Sequence, residues 1–332
     1  MSGTAGNKDV LVIEHLKKYF PTKEKDKFVK AIDDVSFTVR ENEVVGLVGE
    51  SGSGKSTTAY SVIGMHTITD GRMTFLGQDI SMPAEKRTME LKKQIQIVFQ
   101  DPGTSLNPQR TVGNIISMPL KVHKIVPKNE IEDRARELID LVGLPQDCFF
   151  KSPASLGGGE KQLVAIARAL TTNPKMIILD EPTSALDVSI QAKIIGKLMD
   201  LREQFKMSYM FITHDMSLMR NISDRIAIMY LGHIMEMAPA AEFFTKPEHP
   251  YTQMLISSIP VVTPEEEALK PAQIHPEGEI PSPVNMPPGC RFHTRCKHAM
   301  EQCRSEEPPM KEYTHDHFTC CHLCEKTYHS AN

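Results

Sequence analysis

"VVGLVGESGSGKST", residues 44–57, runs from an uninterrupted apolar stretch directly into Gly49, Glu50, Ser51, Gly52, Ser53, Gly54, Lys55, Ser56 and Thr57. The second half matches G-x-x-x-x-G-K-[ST] through Gly49, Gly54, Lys55 and Ser56, and it stands between a buried strand and a helix, where that pattern has physical meaning. The glycines let successive backbone N–H groups curl around a phosphate chain. Lys55 brings a point charge to the β and γ phosphates, and Ser56 can ligate Mg²⁺. Residues 49–57 are therefore expected to hold a nucleoside triphosphate.

Three further strands end in chemistry. "KMIILDEP", from Lys175, closes on Asp180 and Glu181, about 125 residues after the phosphate loop. One carboxylate can hold the Mg²⁺ shell while the other polarises the attacking water, the division of labour that phosphoryl transfer needs. "YMFITHD" places His214 where it can contact a γ-phosphate, and "IQIVFQDP" places Gln100 where it can reach Mg²⁺ or the water. Expected catalytic residues are Glu181, His214 and Gln100, with Ser56, Gln100 and Asp180 as the Mg²⁺ set.

Up to about residue 260 short apolar runs alternate with helical stretches, which predicts an α/β fold with a largely parallel sheet. Strands are expected at Val10–Ile13, Val35–Val39, Val44–Val48, Ile95–Phe99, Met176–Leu179 and Tyr209–Ile212. Residues 129–142 read as an amphipathic helix capped by Asn129, with Glu132 at the capping-box position and Gly143 ending it. "RIAIMYLGHIMEMA" reads as a hairpin turning near Gly232. From Val261 the chain becomes proline-rich, a linker or extended wrap leading into a small cysteine-rich region.

With 332 residues, 40% of them hydrophobic, and a net charge of −4 of well-mixed sign, the chain can build a large core but carries no electrostatic footprint for nucleic acid. The N-terminus has no signal-like apolar region and no run of about 18 apolar residues occurs, so a cytoplasmic protein without membrane spans is expected. Six of the seven cysteines fall between Cys290 and Cys324, which in a reducing compartment favours metal or cluster ligation over disulfides.

"SLGGGEKQLVAIARAL", residues 155–170, sets Gly157, Gly158 and Gly159 at the start of a helix. Glycine is a poor helix former, so this bare N-terminus implies backbone brought close to a negative group. Taken in order, Gly49 to Thr57, Gln100, "LGGGEKQ", "IILDEP", "SALD" and "THD" resemble the ATP-binding cassette of ABC transporters over residues 10 to about 238. "FQDPGTSLNP", "EHPYT" and "GCRFHTRCKHAMEQCR…CCHL" extend the resemblance to the ATPase subunits of oligopeptide and dipeptide importers.

The resemblance implies a P-loop NTPase cassette at 1–260, with a RecA-like core, an antiparallel β subdomain and a helical subdomain at about 101–170. A Pro-rich wrap and Cys-rich C-terminal region would follow at 261–332. It implies ATP hydrolysis driving uptake of oligopeptides or dipeptides at the cytoplasmic face of the membrane. Partners would be two permeases, a substrate-binding protein and a second cassette, in a heterodimer or less readily a homodimer. Nickel or sugar uptake, or a non-transport cassette ATPase with a metal-binding docking tail, are the alternatives. In such dimers each ATP lies between one subunit's phosphate loop and the other's signature motif. Tyr19 matches the residue that stacks on adenine, and Asp187 in "SALD" matches the loop crossing the interface. One departure is plain: the family pattern L-S-G-G-[QE] reads Leu156-Gly157-Gly158-Gly159-Glu160 here, with glycine in place of the serine hydroxyl.

Cys290, Cys296, Cys303 and Cys321 are separated by five, six and seventeen residues. Such long unequal gaps do not fit the C-x-x-C pairs of zinc ribbons and suit a [4Fe-4S] cluster gripped from separate loops. The family resemblance points the same way and selects Cys321 over its neighbour Cys320 and over Cys324. Zinc, or no ligand, are the competing expectations.

Overall fold

The computed structural model describes residues 8–259, 274 and 278–324. Most of the proline-rich stretch expected as a linker lies outside them. Two sheets organise the chain. A four-stranded antiparallel sheet has the order β2-β1-β4-β5, from β1 (Asp9–Pro21), β2 (Phe28–Arg40), β4 (Asp70–Phe75) and β5 (Gln78–Asp79). The eight-stranded sheet contains β3 (Val44–Val48), β6 (Ile95–Val98), β7 (Met176–Asp180), β8 (Ser208–Thr213), β9 (Arg225–Tyr230), β10 (His233–Pro239), β11 (Lys311–Thr314) and β12 (His317–Thr319), in the order β11-β12-β10-β9-β3-β8-β7-β6.

Strands β9, β3, β8, β7 and β6 are parallel, and alternate residues along them serve two cores. Val44, Val48, Ile177, Leu179, Tyr209 and Phe211 face the core shared with the helical insert. Val45, Leu47, Met176, Ile178, Met210 and Ile212 face the core shared with the antiparallel sheet. A central sheet buried on both faces explains why its strands read as unbroken apolar runs, and why they are the best-read elements of the sequence.

The insert comprises helices Val112–Val122, Ile131–Leu141 and Gly158–Leu170, packed on the first of these cores. The helix expected from 129 starts at Ile131, after a 3₁₀ turn at Lys128–Glu130 that contains Asn129, and no side chain caps it. Glu132 pairs with Arg136 instead, one turn ahead. Pro127 is the physical reason: it precedes the tighter turn in extended backbone and so displaces the start of the α-helix. The C-terminal end is as expected, with Gly143 at φ 79° and its N–H donating to the Asp140 carbonyl at 2.8 Å. The hairpin at Gly232 also forms, with Leu231 and Gly232 both at positive φ between β9 and β10.

The C-terminal region adds to this core. Strand β12 pairs with β10, and Cys290, Phe292 and Cys303 join the core shared with the helical insert. The buried His317 ring meets Glu236 at 2.7 Å, and the Glu236 carboxylate also accepts the backbone N–H groups of Glu248 and His249. Burial opposes charge on His317, but the hydrogen bond and charge of Glu236, with Glu248 and Glu242 beside it, raise its pKa above the ordinary value. No helix among the described residues is long and apolar enough to cross a membrane.

Candidate nucleotide site

The parallel register brings the chemistry to one edge. Val48 pairs with Thr213, Asp180 with Ile212 and Val98 with Leu179, so the C-terminal ends of β3, β8, β7 and β6 align. That is the edge at which open α/β sheets bind ligands. The phosphate loop leaves β3 through Gly49, where a Cβ would stand 2.1 Å from the Met229 carbonyl oxygen. It enters the helix Lys55–Ile63 through Gly54 at φ 108°, where a Cβ would stand 2.2 Å from the Ala31 carbonyl oxygen. Only glycine fits either place. No side chain caps this helix and no acid lies in its first turn, so its N–H groups and positive dipole end are open to an anion.

Lys55 is buried, and its ammonium donates to the carbonyls of Gly49 at 2.8 Å and Glu50 at 2.9 Å. Burial lowers its pKa against the opposing charges of Glu181, Asp180 and Glu50. A phosphate at the helix N-terminus offers it a stronger, charged acceptor. Ser56 donates its hydroxyl to Asp180 Oδ1 at 3.0 Å, and the Tyr60 hydroxyl also bonds the buried Asp180 carboxylate. Burial, with Glu181 alongside, raises the Asp180 pKa. The Ser56 hydroxyl and the Asp180 carboxylate form a hard-oxygen donor set of the kind Mg²⁺ takes.

Glu181 follows β7 with φ 45°, in the left-handed region that a non-glycine residue adopts at a cost. One carboxylate oxygen accepts from Gln100 Nε2 at 3.0 Å and the other lies 3.4 Å from His214 Nδ1. The three residues expected to be catalytic thus converge on one carboxylate. Tyr19 lies on β1, and its hydroxyl bonds Asp33. Asp33 in turn donates its N–H to the Gly232 carbonyl, and the Gly232 N–H donates to the Ser53 carbonyl of the phosphate loop.

The signature glycines pack elsewhere. A Cβ on Gly159 would come within 2.6 Å of Ile190, and one on Gly158 within 3.1 Å of Leu186. Asp187 lies between these contacts and caps the helix Val188–Phe205, accepting from the Ile190 N–H at 3.0 Å and from the Ser189 hydroxyl at 2.7 Å. Gly157 is exposed at the helix N-cap, and its N–H donates to the Glu160 carboxylate at 2.8 Å. A Cβ there would find ordinary contact, 3.6 Å from Glu160.

Cys290, Cys296, Cys303 and Cys321 line one small cavity, with His249, His293, His298 and His322 around them. Burial pushes the Cys290 thiol up to about 12 and the Cys296 thiol up to about 11. The hydrogen bond from Cys324 holds the Cys321 thiol below its ordinary value. Cys320 does not line the cavity; its thiol donates to the Pro308 carbonyl at 2.8 Å. Among the described residues, no three His, Cys, Asp or Glu side chains are grouped so as to hold a metal ion. The four thiols are soft donors of the kind that zinc and iron–sulfur clusters both take. Sequence reading assigned no role to Arg291, Arg295, Tyr251 or Asp33, although the first three stand inside stretches that carry the family resemblance.

The ABC transporter family matches residues 32–184, and the oligopeptide/dipeptide transporter C-terminal region matches residues 235–303. The chain is 45% identical to the oligopeptide transport ATP-binding protein AppF of Bacillus subtilis, over 96% of this chain and 99% of that protein. It is 41% identical to the oligopeptide transport ATP-binding protein OppF of Salmonella typhimurium, over 92% and 93% respectively. Among solved structures it resembles the dimeric, post-hydrolysis ATP-binding cassette MJ0796 bound to ADP and Pi, with TM-score 0.63 and 27% identity over 69% of this chain and 98% of that one. The cassette fold, the phosphate loop and full-length similarity to such relatives agree, and the chain belongs to the ATP-binding subunits of oligopeptide-type ABC transporters.

Proposed function

We propose that this chain hydrolyses ATP to energise uptake of oligopeptides or dipeptides through separate permease subunits, fed by a substrate-binding protein. The observation that carries the chemistry is the convergence of Gln100, Glu181 and His214 beside the phosphate loop. Glu181 accepts a proton from the attacking water, Gln100 and His214 orient its carboxylate, and Lys55 with the helix N-terminus holds the phosphates. Ser56, Asp180 and Gln100 would hold Mg²⁺, which neutralises charge on the phosphates when bound. Reconstituted with its permeases and binding protein, the chain should drive ATP-dependent accumulation of labelled peptide. Transport of nickel or a sugar, with no peptide taken up, would overturn the substrate.

The subunit sits peripherally at the cytoplasmic face of the membrane, paired with a second cassette in a heterodimer. Residues 1–260 would be the ATP-binding cassette and 261–332 the Pro-rich wrap and Cys-rich C-terminal region. Gly157, Gly158, Gly159 and Asp187 then serve the partner's ATP, and Tyr19 stacks on adenine. A missing serine hydroxyl at 157 removes one bond to a charged phosphate, about 1.5 to 3 kcal/mol of closure. Gly157→Ser has room and alters the helix cap itself by only a few tenths of a kcal/mol. The variant should therefore strengthen ATP-dependent pairing with the true partner by about ten- to a hundredfold while leaving thermal stability almost unchanged. Unaltered pairing in analytical ultracentrifugation would show that the lost hydroxyl has no consequence.

The four thiols about one cavity further support a [4Fe-4S] cluster held by Cys290, Cys296, Cys303 and Cys321. Peptide uptake driven by ATP requires no redox step, so the cluster's role would be to tie a region with little core of its own onto the cassette.

A further inference from the structure

The loop that carries the cysteines also sends two arginines toward the nucleotide side of the cassette. Arg295 grips Glu50 with both ends of its guanidinium, Nη1 to Oε2 at 2.8 Å and Nη2 to Oε1 at 3.1 Å. Glu50 is the second residue of the phosphate loop. Its carbonyl receives Lys55 Nζ, its N–H donates to the Tyr251 hydroxyl at 3.3 Å, and that hydroxyl also reaches Glu50 Oε2 at 3.4 Å. Arg295 is no surface cation: its side chain is 4% exposed, beside the rings of Tyr230 and Phe292. Turns within the loop place it, since the Arg295 N–H donates to the Phe292 carbonyl and the Cys290 N–H to the Cys303 carbonyl.

Arg291 makes a second link, donating to Asp33 Oδ2 at 2.7 Å and to the Leu231 carbonyl at 2.8 Å. Asp33 is the residue that holds the Tyr19 hydroxyl. Burial pushes the Asp33 carboxyl up, but hydrogen bonds from Tyr19 and Arg291 and the charges of Arg291 and Lys30 bring it down to about 2. The C-terminal loop therefore contacts the nucleotide side twice, at Glu50 of the phosphate loop and at Asp33, which holds the expected adenine stacker.

We propose that Arg295 is a positioning residue for ATP: it neutralises and orients Glu50, so that a loop bearing a carboxylate can receive a triphosphate, while Arg291 sets Tyr19 through Asp33. This rests on the nucleotide-site reading above. A buried bidentate pair fixes geometry as well as charge. Without Arg295, a carboxylate in the phosphate loop would face the incoming phosphates uncompensated, and like charges at short range in a partly buried site repel strongly.

The test is MgATP affinity of the full chain, measured by titration calorimetry. Arg295→Gln should weaken binding about tenfold, and adding Glu50→Gln to that variant should recover at least half of the loss on a logarithmic scale, because the unpaired charge is gone. Arg295→Lys keeps the charge but loses the fork, so its loss should be smaller yet measurable, and it carries the test should Arg295→Gln fail to fold. Equal weakening in Arg295→Gln and in the double variant would mean that Arg295 only holds the fold, and would overturn the proposal. Wild-type affinity in Arg295→Gln, or in Arg295→Lys where that variant carries the test, would also overturn it. Lys55→Ala separates the two readings. If it binds MgATP as tightly as the wild type, the nucleotide site itself is misassigned; if it loses binding while Arg295→Gln does not, the site stands and the positioning role fails.

Discussion

Glu181→Gln should lower ATP turnover by about 10²- to 10⁴-fold, the usual worth of a positioned general base, while leaving nucleotide binding intact. The amide keeps the shape of the side chain and can still meet Gln100 and His214, so the geometry survives while the proton acceptor is lost. Lys55, Ser56 and the uncapped helix N-terminus that grip the phosphates are untouched. Removing a negative charge beside the buried Asp180 also relieves repulsion against the incoming phosphates. Binding without hydrolysis should then trap an ATP-loaded dimer. Single-turnover phosphate release and size-exclusion chromatography with the partner subunit check both halves. Turnover within twofold of the wild type would remove Glu181 from the mechanism and leave its left-handed backbone without a catalytic reason.

What the sequence made legible follows from burial. Strands β3, β7 and β8 are covered on both faces, so composition alone marks them, and the residue just past each strand end is the one that acts. The antiparallel sheet was read only in part. Both β1 and β2 run 13 residues, far beyond the four or five apolar positions that signal them, because one face meets solvent and the remainder is polar. At His15, with φ 49°, a bulge shifts the alternation, so that Ile13 and Leu16 are both buried although three residues apart. A strict period of two cannot follow that.

The hairpin of β11 and β12 escaped reading altogether. "KEYTHDHFT" is charged and polar, and its inward contacts are made by polar side chains: His317 with the buried Glu236, and Asp316 with Arg40 in a two-pronged pair at 2.7 and 2.8 Å. Polar pairs that cross some 80 and 276 residues of chain leave no local trace. Arg291 and Arg295 were invisible for the same reason, since their partners Asp33 and Glu50 lie far back in the chain. The cysteines were legible because cysteine is scarce and its clustering is read directly, whereas an arginine is read only through what it touches.

Purified without oxygen, the full chain should be brown, with broad absorption at about 400 nm and about four irons and four sulfides per chain. The four-thiol cavity motivates this, and the structure supplies a discriminating pair of variants. Cys321 lines the cavity, while the Cys320 thiol, one residue away, is committed to the Pro308 carbonyl. Cys321→Ser should therefore lose most of the iron, and Cys320→Ser should keep it. If the cluster ties the region down, iron loss should also lower the thermal midpoint by several degrees, because Cys290, Phe292 and Cys303 lie in the core shared with the helical insert and would lose their anchor. Colourless anaerobic protein with one tightly held zinc would sink the cluster. Brown protein whose iron survives Cys321→Ser but not Cys320→Ser would keep the cluster and reassign its fourth thiol, against the direction in which Cys320 points. Both variants make the same exchange of a thiol for a smaller hydroxyl at adjacent positions. A difference in iron between two such matched exchanges, with both variants folded, reports which sulfur reaches the cavity.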